Sequence, residues 1–278
     1  MAKKAYLEIT NSCNLSCSFC HGTKREKRYM SVHEFREAAT KLRAFADFLY
    51  FHLMGEPLLH PQIGELFSIA GELGFRVIIT TNGTLLKKKG DVLLAADSLY
   101  KVSISLHAYE ASDMGLSLSE YLGQCFDFCK KASEVGKIAV MRLWNRGGAD
   151  ELNEPILSEM KKHFPNQWRE CYSGYRLCDR VFLEWGEKFD WPDIEGGYVG
   201  DDHGCYGLRD QIGVLCDGTV VPCCLDADGA CSLGNIFESS LSDILSCDRA
   251  VKLKASLQNR RVTEELCRRC GYAGARFK

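Results

Sequence analysis

The stretch that decides the fold reads Cys13-Asn14-Leu15-Ser16-Cys17-Ser18-Phe19-Cys20 and follows directly on a predicted strand, Ala5–Thr10. Three thiols within eight residues of one loop converge on a single inorganic site. Zinc sites usually take four ligands as two separated pairs, whereas this loop has no fourth cysteine nearby. A 4Fe–4S cube held by only three thiolates keeps one iron open for a ligand, which suits chemistry better than a structural role.

Composition places the chain among ordinary globular proteins that keep their thiols reduced. Its 278 residues carry a formal net charge of -2, with 46% hydrophobic and 26% charged residues, which favours neither nucleic acid nor membrane partners. Fifteen cysteines without a secretory signal indicate metal ligation in a reducing compartment rather than a disulfide framework. We therefore expect a cytoplasmic protein with no membrane segment.

Short β-rich runs alternate with helical stretches through the first two-thirds of the chain. The predicted strands are Ala5–Thr10, Phe48–Leu53, Arg76–Thr80, Lys101–Leu106, Ile138–Leu143 and Val181–Trp185. The predicted helices are Val32–Phe45, Ile63–Leu73, Leu85–Ala96, Leu118–Val135 and Leu152–His163. Strands separated by helices indicate parallel pairing with right-handed crossovers. The sequence therefore predicts an α/β fold, a partial (β/α)6 TIM-like barrel with its chemistry at the carboxyl ends of the strands.

After a Gly- and Asp-rich linker at residues 187–204 the pattern changes. Gln211–Leu215 and Thr219–Val221 flank Asp217-Gly218, a pair typical of a tight hairpin turn. Leu241–Leu257 has helical character, and a Cys-x2-Cys pair closes the chain. We predict a barrel domain at residues 1–190 and a small cysteine-rich domain, a β-hairpin plus a helix, at residues 191–278.

The first cysteine loop resembles that of the radical S-adenosylmethionine (SAM) superfamily, Cys-x3-Cys-x2-Cys with an aromatic residue, here Phe19, before the last cysteine. The resemblance implies that Cys13, Cys17 and Cys20 hold a 4Fe–4S cluster whose open iron is chelated by the amino and carboxylate groups of SAM. Reduction then cleaves SAM to methionine and a 5′-deoxyadenosyl radical, while the protein supplies position and a water-excluding pocket. No catalytic side chain is assigned.

The resemblance continues at the ends of the later strands. Met54-Gly55-Glu56-Pro57 matches the family's Gly-Gly-Glu-Pro element except for the methionine, and it implies that Glu56 accepts a hydrogen bond from the SAM ammonium. The resemblance also implies that Ser105 contacts the ribose of SAM. Arg142 either pairs with the SAM carboxylate or is a plain surface arginine. The implied SAM-binding residues are Phe19, Gly55, Glu56, Pro57, Asn82, Ser105 and Arg142.

A second cysteine set resembles the SPASM/twitch extension of radical SAM enzymes, which holds auxiliary iron–sulfur clusters. The resemblance implies one auxiliary 4Fe–4S cluster on Cys205, Cys223, Cys267 and Cys270, and a zinc site on the same thiols is the alternative. Cys224 competes with Cys223 because adjacent strand residues point to opposite sides. Cys216 and Cys231 become relevant only for a second auxiliary cluster. We expect the remaining cysteines to be core or surface thiols: Cys125, Cys129, Cys171, Cys178 and Cys247.

The resemblance implies hydrogen-atom abstraction from a substrate, followed by oxidation in which the auxiliary cluster accepts an electron. We expect a peptide or protein substrate, because most relatives with this extension modify peptides. The chain begins almost at its first strand, without the leader-binding domain of many peptide maturases, so dehydrogenation of a small molecule is a close rival. The expected reductant is a flavodoxin or ferredoxin.

Two further functions stay open at this point. The segment from Arg249 to Lys278 contains nine Lys or Arg residues and only two acidic residues, which suggests tRNA or rRNA modification. Only Tyr272 and Phe277 could stack on bases there. A non-enzymatic electron carrier is disfavoured, because such a protein would saturate its iron with four thiolates.

Overall fold

The structure, a computed structural model, describes residues 3–277. Its strands are β1 (Lys4–Leu7), β2 (Phe48–Tyr50), β3 (Arg76–Thr81), β4 (Leu99–Ser105), β5 (Ile138–Arg146), β6 (Arg169–Cys171), β7 (Gly174–Cys178), β8 (Val181–Glu187), β9 (Gln211–Val214), β10 (Thr219–Val221) and β11 (Gly234–Asn235). Its helices are α1 (Val32–Arg43), α2 (Ile63–Glu72), α3 (Leu86–Ala95), α4 (Leu118–Glu134), α5 (Asn153–His163), α6 (Leu241–Ser246), α7 (Asp248–Gln258), α8 (Glu265–Arg268) and α9 (Gly271–Arg276).

All of these strands form one open sheet in the order β11-β10-β9-β1-β2-β3-β4-β5-β8-β7-β6. The central run from β9 through β1 to β5 and β8 pairs in parallel throughout. Antiparallel hairpins extend the sheet at both ends. The predicted partial barrel is confirmed: its six strands are β1 to β5 and β8, and the sheet does not close.

Strand alternation separates an apolar outer face from a polar lumen. Along β5, Met141 and Leu143 are completely buried against the covering helices, whereas Arg142 and Trp144 line the barrel cavity. Capping boxes fix the starts of α1 and α4. At the start of α1, Ser31 Oγ accepts a hydrogen bond from the Glu34 backbone N–H, and the Glu34 carboxylate accepts one from the Ser31 backbone N–H.

The structure departs from the sequence prediction at several elements. The hairpin β6–β7, which lies between α5 and β8, was not predicted, and neither were the short elements β11, α8 and α9. The single helix expected at Leu241–Leu257 is broken into α6 and α7, because Cys247 has an extended backbone (φ -62°, ψ 151°) and its sulfur caps α7. None of the helices within residues 3–277 combines the length and apolar character needed to cross a bilayer.

The C-terminal part continues the sheet of the barrel. Strand β9 pairs in parallel with β1, with Lys4 opposite Gln211 and Leu7 opposite Val214. Residues 188–206 form neither helix nor strand and connect the two parts of the sheet. The cysteine-rich region is thereby held against the open side of the barrel, although the division at residue 190 stays a prediction.

Candidate active site

The three thiols of the first loop lie together beyond the carboxyl end of β1. Burial raises the pKa of Cys17 to about 11, and the neighbouring thiols Cys13 and Cys20 add to the rise, as expected for sulfurs that share one space. The backbone amides of Leu15 and Gly22 approach the sulfurs of Cys13 and Cys20 at 3.5 and 3.4 Å. Such amides stabilise thiolates, so the loop suits three anionic ligands.

The base of this loop is fixed by hydrogen bonds to the chain that returns from it. Asn11 Nδ2 donates to the Glu26 carbonyl oxygen at 2.8 Å, and Asn11 Oδ1 accepts from the Arg28 backbone N–H at 2.8 Å. The Ser18 backbone N–H donates to the Ala111 carbonyl oxygen at 3.0 Å, which ties the loop to the segment after β4. The thiols are therefore carried on an anchored loop.

Glu56 lies beside the first of these thiols. It is 1% exposed, and its Oε1 accepts hydrogen bonds from Thr81 Oγ1 (2.8 Å) and the Leu58 N–H (3.0 Å). Its Oε2 accepts from the Asn82 backbone N–H at 2.7 Å. Burial raises the pKa of Glu56 to about 7, against the lowering effect of these bonds. Asn82 Nδ2 lies 3.9 Å from Cys13 Sγ, so this carboxylate and the cysteine loop form one site.

Phe19 and the end of β4 form a neighbouring part of the site. The Phe19 and His107 ring centroids are 4.8 Å apart, and both residues line a cavity of about 70 Å³ with Trp144. Burial lowers the pKa of His107 to about 4, which keeps its ring neutral. Ser105 is the last residue of β4, and its carbonyl oxygen accepts a hydrogen bond from the Tyr121 hydroxyl at 3.4 Å. His107 was not predicted as a site residue, because no sequence motif marks it.

Arg142 lies inside the barrel. Its side chain is 15% exposed, and its Nε is 3.4 Å from Glu184 Oε2. Its Nη1 donates to Thr80 Oγ1 at 3.3 Å, and its guanidinium carbon stacks 4.4 Å from the Trp144 ring. These contacts place Arg142 in the lumen rather than on the outer surface, and they involve neither Glu56 nor the cysteine loop.

The second cysteine set surrounds one space at the mouth of the barrel. Cys205, Cys223, Cys224, Cys267 and Cys270 all line it. Burial raises the pKa of Cys223 well above its usual value, and the thiols Cys205, Cys224 and Cys270 raise it further. Within residues 3–277 no three His, Cys, Asp or Glu side chains come close enough together to hold a single metal ion.

The other cysteines of this region have distinct neighbours. Cys224 is hydrogen-bonded to Tyr6, a lumen residue of β1. Cys231 lies within hydrogen-bonding reach of Cys267. Cys216 instead contacts Glu8, with its Sγ 3.0 Å from Glu8 Oε2. The five cysteines expected in the core or on the surface are buried (Cys125, Cys129), half-buried (Cys178, Cys247) or exposed (Cys171).

A cavity of about 450 Å³ joins the barrel lumen to the second cysteine set. The barrel contributes polar and aromatic side chains to it, and the C-terminal region contributes the thiols. The barrel residues that line it are Lys4, Tyr6, Tyr50, Lys101, Arg142, Trp144 and Glu184. Most of these were missed by sequence reasoning. The available signal was the period-two pattern that turns polar strand residues into the lumen.

The basic C-terminal segment is partly neutralised by ion pairs. Arg249 Nη2 lies 2.8 Å from Glu264 Oε2, and Arg268 Nε lies 3.0 Å from Asp201 Oδ1. Arg269 pairs with Glu265 at 2.5 Å. With Lys252, which lies 3.8 Å from Asp248 Oδ2, four cations of the segment have acidic partners, which weakens the case for a continuous basic face.

Comparisons with known proteins agree with both cysteine sets. The model of the radical SAM superfamily matches residues 7–135, and that of the SPASM iron–sulfur cluster-binding domain matches residues 205–271. The sporulation killing factor maturation protein SkfB of Bacillus subtilis (strain 168) is 25% identical over 91% of this chain and 67% of its own length. The GTP 3′,8-cyclase of Aquifex aeolicus (strain VF5) is 28% identical over 66% of this chain and 58% of its own. The chain thus spans about two thirds or less of these two relatives.

Solved structures with the same fold include BtrN in complex with AdoMet and 2-DOIA, with a TM-score of 0.63, 20% identity, and coverage of 97% of this chain and 93% of BtrN. Streptococcus suis SuiB bound to S-adenosylmethionine has a TM-score of 0.62, 17% identity, and coverage of 89% and 66%. The family expected from the cysteine loop is therefore confirmed. The chain belongs to the radical SAM superfamily and is an enzyme that uses 4Fe–4S clusters and SAM, with a SPASM iron–sulfur domain in its C-terminal part.

Proposed function

We propose that this enzyme oxidises a peptide or protein substrate whose reacting group enters the cavity that joins the barrel lumen to the second cysteine set. The observation that carries this proposal is the continuity of that cavity, which runs from the barrel lumen to the second set of thiols. When bound, SAM and its cluster supply hydrogen-atom abstraction, and the auxiliary cluster supplies an acceptor for the electron that leaves the substrate.

The residues of the first site fit SAM and its cluster. Cys13, Cys17 and Cys20 would hold the cluster through three thiolates, which leaves one iron free. Glu56, already placed by Thr81 and Asn82, would accept the SAM ammonium as a charge-assisted hydrogen bond. The cavity beside Phe19, His107 and Trp144 would accept the edge of a flat ring.

The residues of the second site fit an auxiliary cluster. Cys205, Cys223, Cys267 and Cys270 would hold it, and the sulfurs of Cys205 and Cys270 already receive backbone N–H groups at 3.3 and 3.4 Å. Cys224 would face the substrate instead, because its thiol is turned towards Tyr6. The substrate would then lie between the two groups, with the barrel wall excluding water from it.

The similarity to SkfB supports a peptide substrate, because that relative is by its name a maturation protein and the match covers 91% of this chain. The second candidate is a small polar metabolite. It is favoured by the charged lining of the cavity, where Lys101, Arg142 and Glu184 would bind polar groups.

The experiment that tests this function incubates anaerobically reconstituted, reduced enzyme with SAM and a pool of random hexapeptides. We expect 5′-deoxyadenosine and peptides that have lost two hydrogen atoms, both measured by mass spectrometry. The Cys267→Ala enzyme should still form 5′-deoxyadenosine, but it should form no peptide that has lost two hydrogen atoms. A pool of hydroxylated metabolites is run in parallel, and oxidation of that pool with unchanged peptides would establish the small-molecule candidate instead.

A further inference from the structure

The barrel half of the central cavity carries more positive than negative charge. Lys4, Lys101 and Arg142 line it together with one barrel carboxylate, Glu184, whereas Asp210, Asp226 and Arg276 line the C-terminal half of the same cavity. Glu184 stands next to Arg142 in the register of β5 and β8, and its single charge is shared with Lys101. Across the whole cavity four Lys or Arg side chains stand against three carboxylates, and a partly buried cation is costly unless an anion offsets it.

Arg142 has hydrogen-bonding capacity that the protein does not use. Its Nε and Nη1 are directed to Glu184 and Thr80 at 3.4 and 3.3 Å. Within residues 3–277 its Nη2 has no hydrogen-bond acceptor, although guanidinium groups bind carboxylates through paired N–H donors. The Trp144 ring stacked on the guanidinium limits the directions it can take, so the free donors are oriented before a ligand arrives.

Further polar groups stand around the same point. Lys101 lies close enough to Arg142 for the two charges to repel, which together with the larger effect of burial lowers the pKa of Lys101. Tyr50, from β2, faces Arg142 across the lumen, and the ring of Tyr6 lies 4.6 Å from the ring of Tyr50. Two cations and a phenol hydroxyl thus converge where the lumen opens towards the second cysteine set.

We propose that Arg142 and Lys101 bind a carboxylate of the substrate, the side chain of an acidic residue or the C-terminus of a peptide. The proposal rests on the proposed function and deepens it, because it names the group by which the substrate is held. It also assigns Arg142 to the substrate rather than to the carboxylate of SAM. The bound carboxylate would orient the neighbouring carbon between the two cluster sites.

The test measures binding without turnover. Reconstituted, SAM-loaded enzyme is titrated by calorimetry with acetyl-aspartate methylamide and with acetyl-asparagine methylamide, which differ only in charge and in one hydrogen-bonding group. We expect the aspartate compound to bind about tenfold more tightly, the effect of one charge-assisted interaction. Arg142→Gln and Lys101→Gln should each reduce this preference to about twofold or less, while Lys131→Gln, on the exposed face of α4, should keep it.

SAM binding to the same variants completes the test. We expect SAM affinity to stay within about twofold of wild type in both cavity variants, with circular dichroism showing the folded state. Equal binding of the two compounds, binding of neither, or a tenfold loss of SAM affinity confined to Arg142→Gln would overturn the proposal. Free succinate is the small-molecule arm: if it binds more tightly than capped aspartate, the carboxylate site stands but its ligand is not a peptide. If the wild-type enzyme binds the aspartate compound more tightly than the asparagine compound but oxidises no peptide, the proposed function alone is refuted.

Discussion

Glu8 and Arg25 form a buried ion pair in which both carboxylate oxygens lie 2.8 Å from Arg25 Nη2. Glu8 is completely buried, and it also accepts hydrogen bonds from the backbone N–H groups of Met54 (3.1 Å) and Cys216 (3.0 Å). Arg25 Nε donates to the Ala227 carbonyl oxygen at 2.9 Å. The pair thereby joins the first cysteine loop, the turn that carries Glu56, and the C-terminal hairpin.

Replacement of Glu8 by Gln should therefore destabilise the whole molecule. The substitution leaves Arg25 without its anion in a buried setting, and we expect the free energy of unfolding to fall by about 3 kcal/mol. Urea unfolding of the wild type and the variant measures this loss. Arg36→Gln removes an ion pair whose side chains are 51% and 58% exposed, and it should cost less than about 1 kcal/mol. Equal losses in the two variants would contradict the buried-pair argument.

The two cysteine sets should be separable by mutation. Cys17→Ala should abolish 5′-deoxyadenosine formation, because only two thiolates of its loop remain, and the protein should keep roughly four iron atoms at the other site. Cys270→Ala should lose a similar amount of iron yet still form 5′-deoxyadenosine. Iron analysis and chromatography of the reaction mixture provide both readouts. Formation of 5′-deoxyadenosine by Cys17→Ala would refute the assignment of the first loop.

Replacement of Cys223 and replacement of Cys224 should have different effects on the auxiliary cluster. Cys205 and Cys270 lie near both thiols, but Cys223 is the one that also raises the pKa of Cys267, whereas Cys224 is hydrogen-bonded to Tyr6. We expect Cys223→Ser to lose the auxiliary cluster and Cys224→Ser to keep it, as judged from Mössbauer spectra of iron-57-labelled protein. The opposite result would mean that Cys224 is the ligand and that Cys223 is the spare thiol.

The fold was largely predictable because its strands and helices have strong local patterns. All six predicted barrel strands and all five predicted barrel helices occur, with ends shifted by a few residues at most. The hairpin β6–β7 was missed because it is an edge addition of mostly exposed residues that shows no buried stripe. The break at Cys247 was missed because a single capping residue does not interrupt the helical pattern of the residues around it.

The candidate site was predictable only where its residues are close together in the sequence as well as in space. Cys13, Cys17 and Cys20 share one loop, so their convergence could be read directly. The Glu8–Arg25 pair and the charged group around Arg142 bring together distant strands, and their proximity depends on register within the sheet. Arg142 meets Glu184 because β5 and β8 are neighbours, a relationship that no local pattern in either strand reveals.

SAM binding should depend on pH through Glu56. The pKa of this carboxyl is raised to about 7 by burial, so the ionised form that accepts an ammonium is lost as the pH falls through that value. Between pH 7.5 and pH 6 the ionised fraction falls about eightfold, and we expect the dissociation constant of SAM to rise by the same factor. Equilibrium dialysis of the reconstituted protein measures it. Glu56→Gln should bind SAM more weakly at pH 7.5 and show a flatter profile, and an unchanged slope would point to another titrating group.

Gly55 should be intolerant of any side chain, although the preceding position of the motif accepts Met54. Its φ of 76° lies in the left-handed region, and a Cβ there would collide with the Thr10 carbonyl oxygen and approach Asn11 Cα at 2.9 Å. Because those atoms are backbone at the base of the cysteine loop, they cannot turn away, and we expect Gly55→Ala to cost about 2 kcal/mol or more. Gly123→Ala is the matched control, since a Cβ there meets nothing within 4 Å and the residue lies inside α4. That change should stabilise the protein by about 0.5–1 kcal/mol, because alanine loses less backbone entropy in a helix. Urea unfolding measures both changes, and SAM cleavage by whatever Gly55→Ala protein remains folded should be reduced, because Glu56 moves with the displaced turn. If Gly55→Ala were as stable as the wild type, the turn would have space for a Cβ, and the predicted clash with Thr10 and Asn11 would be wrong.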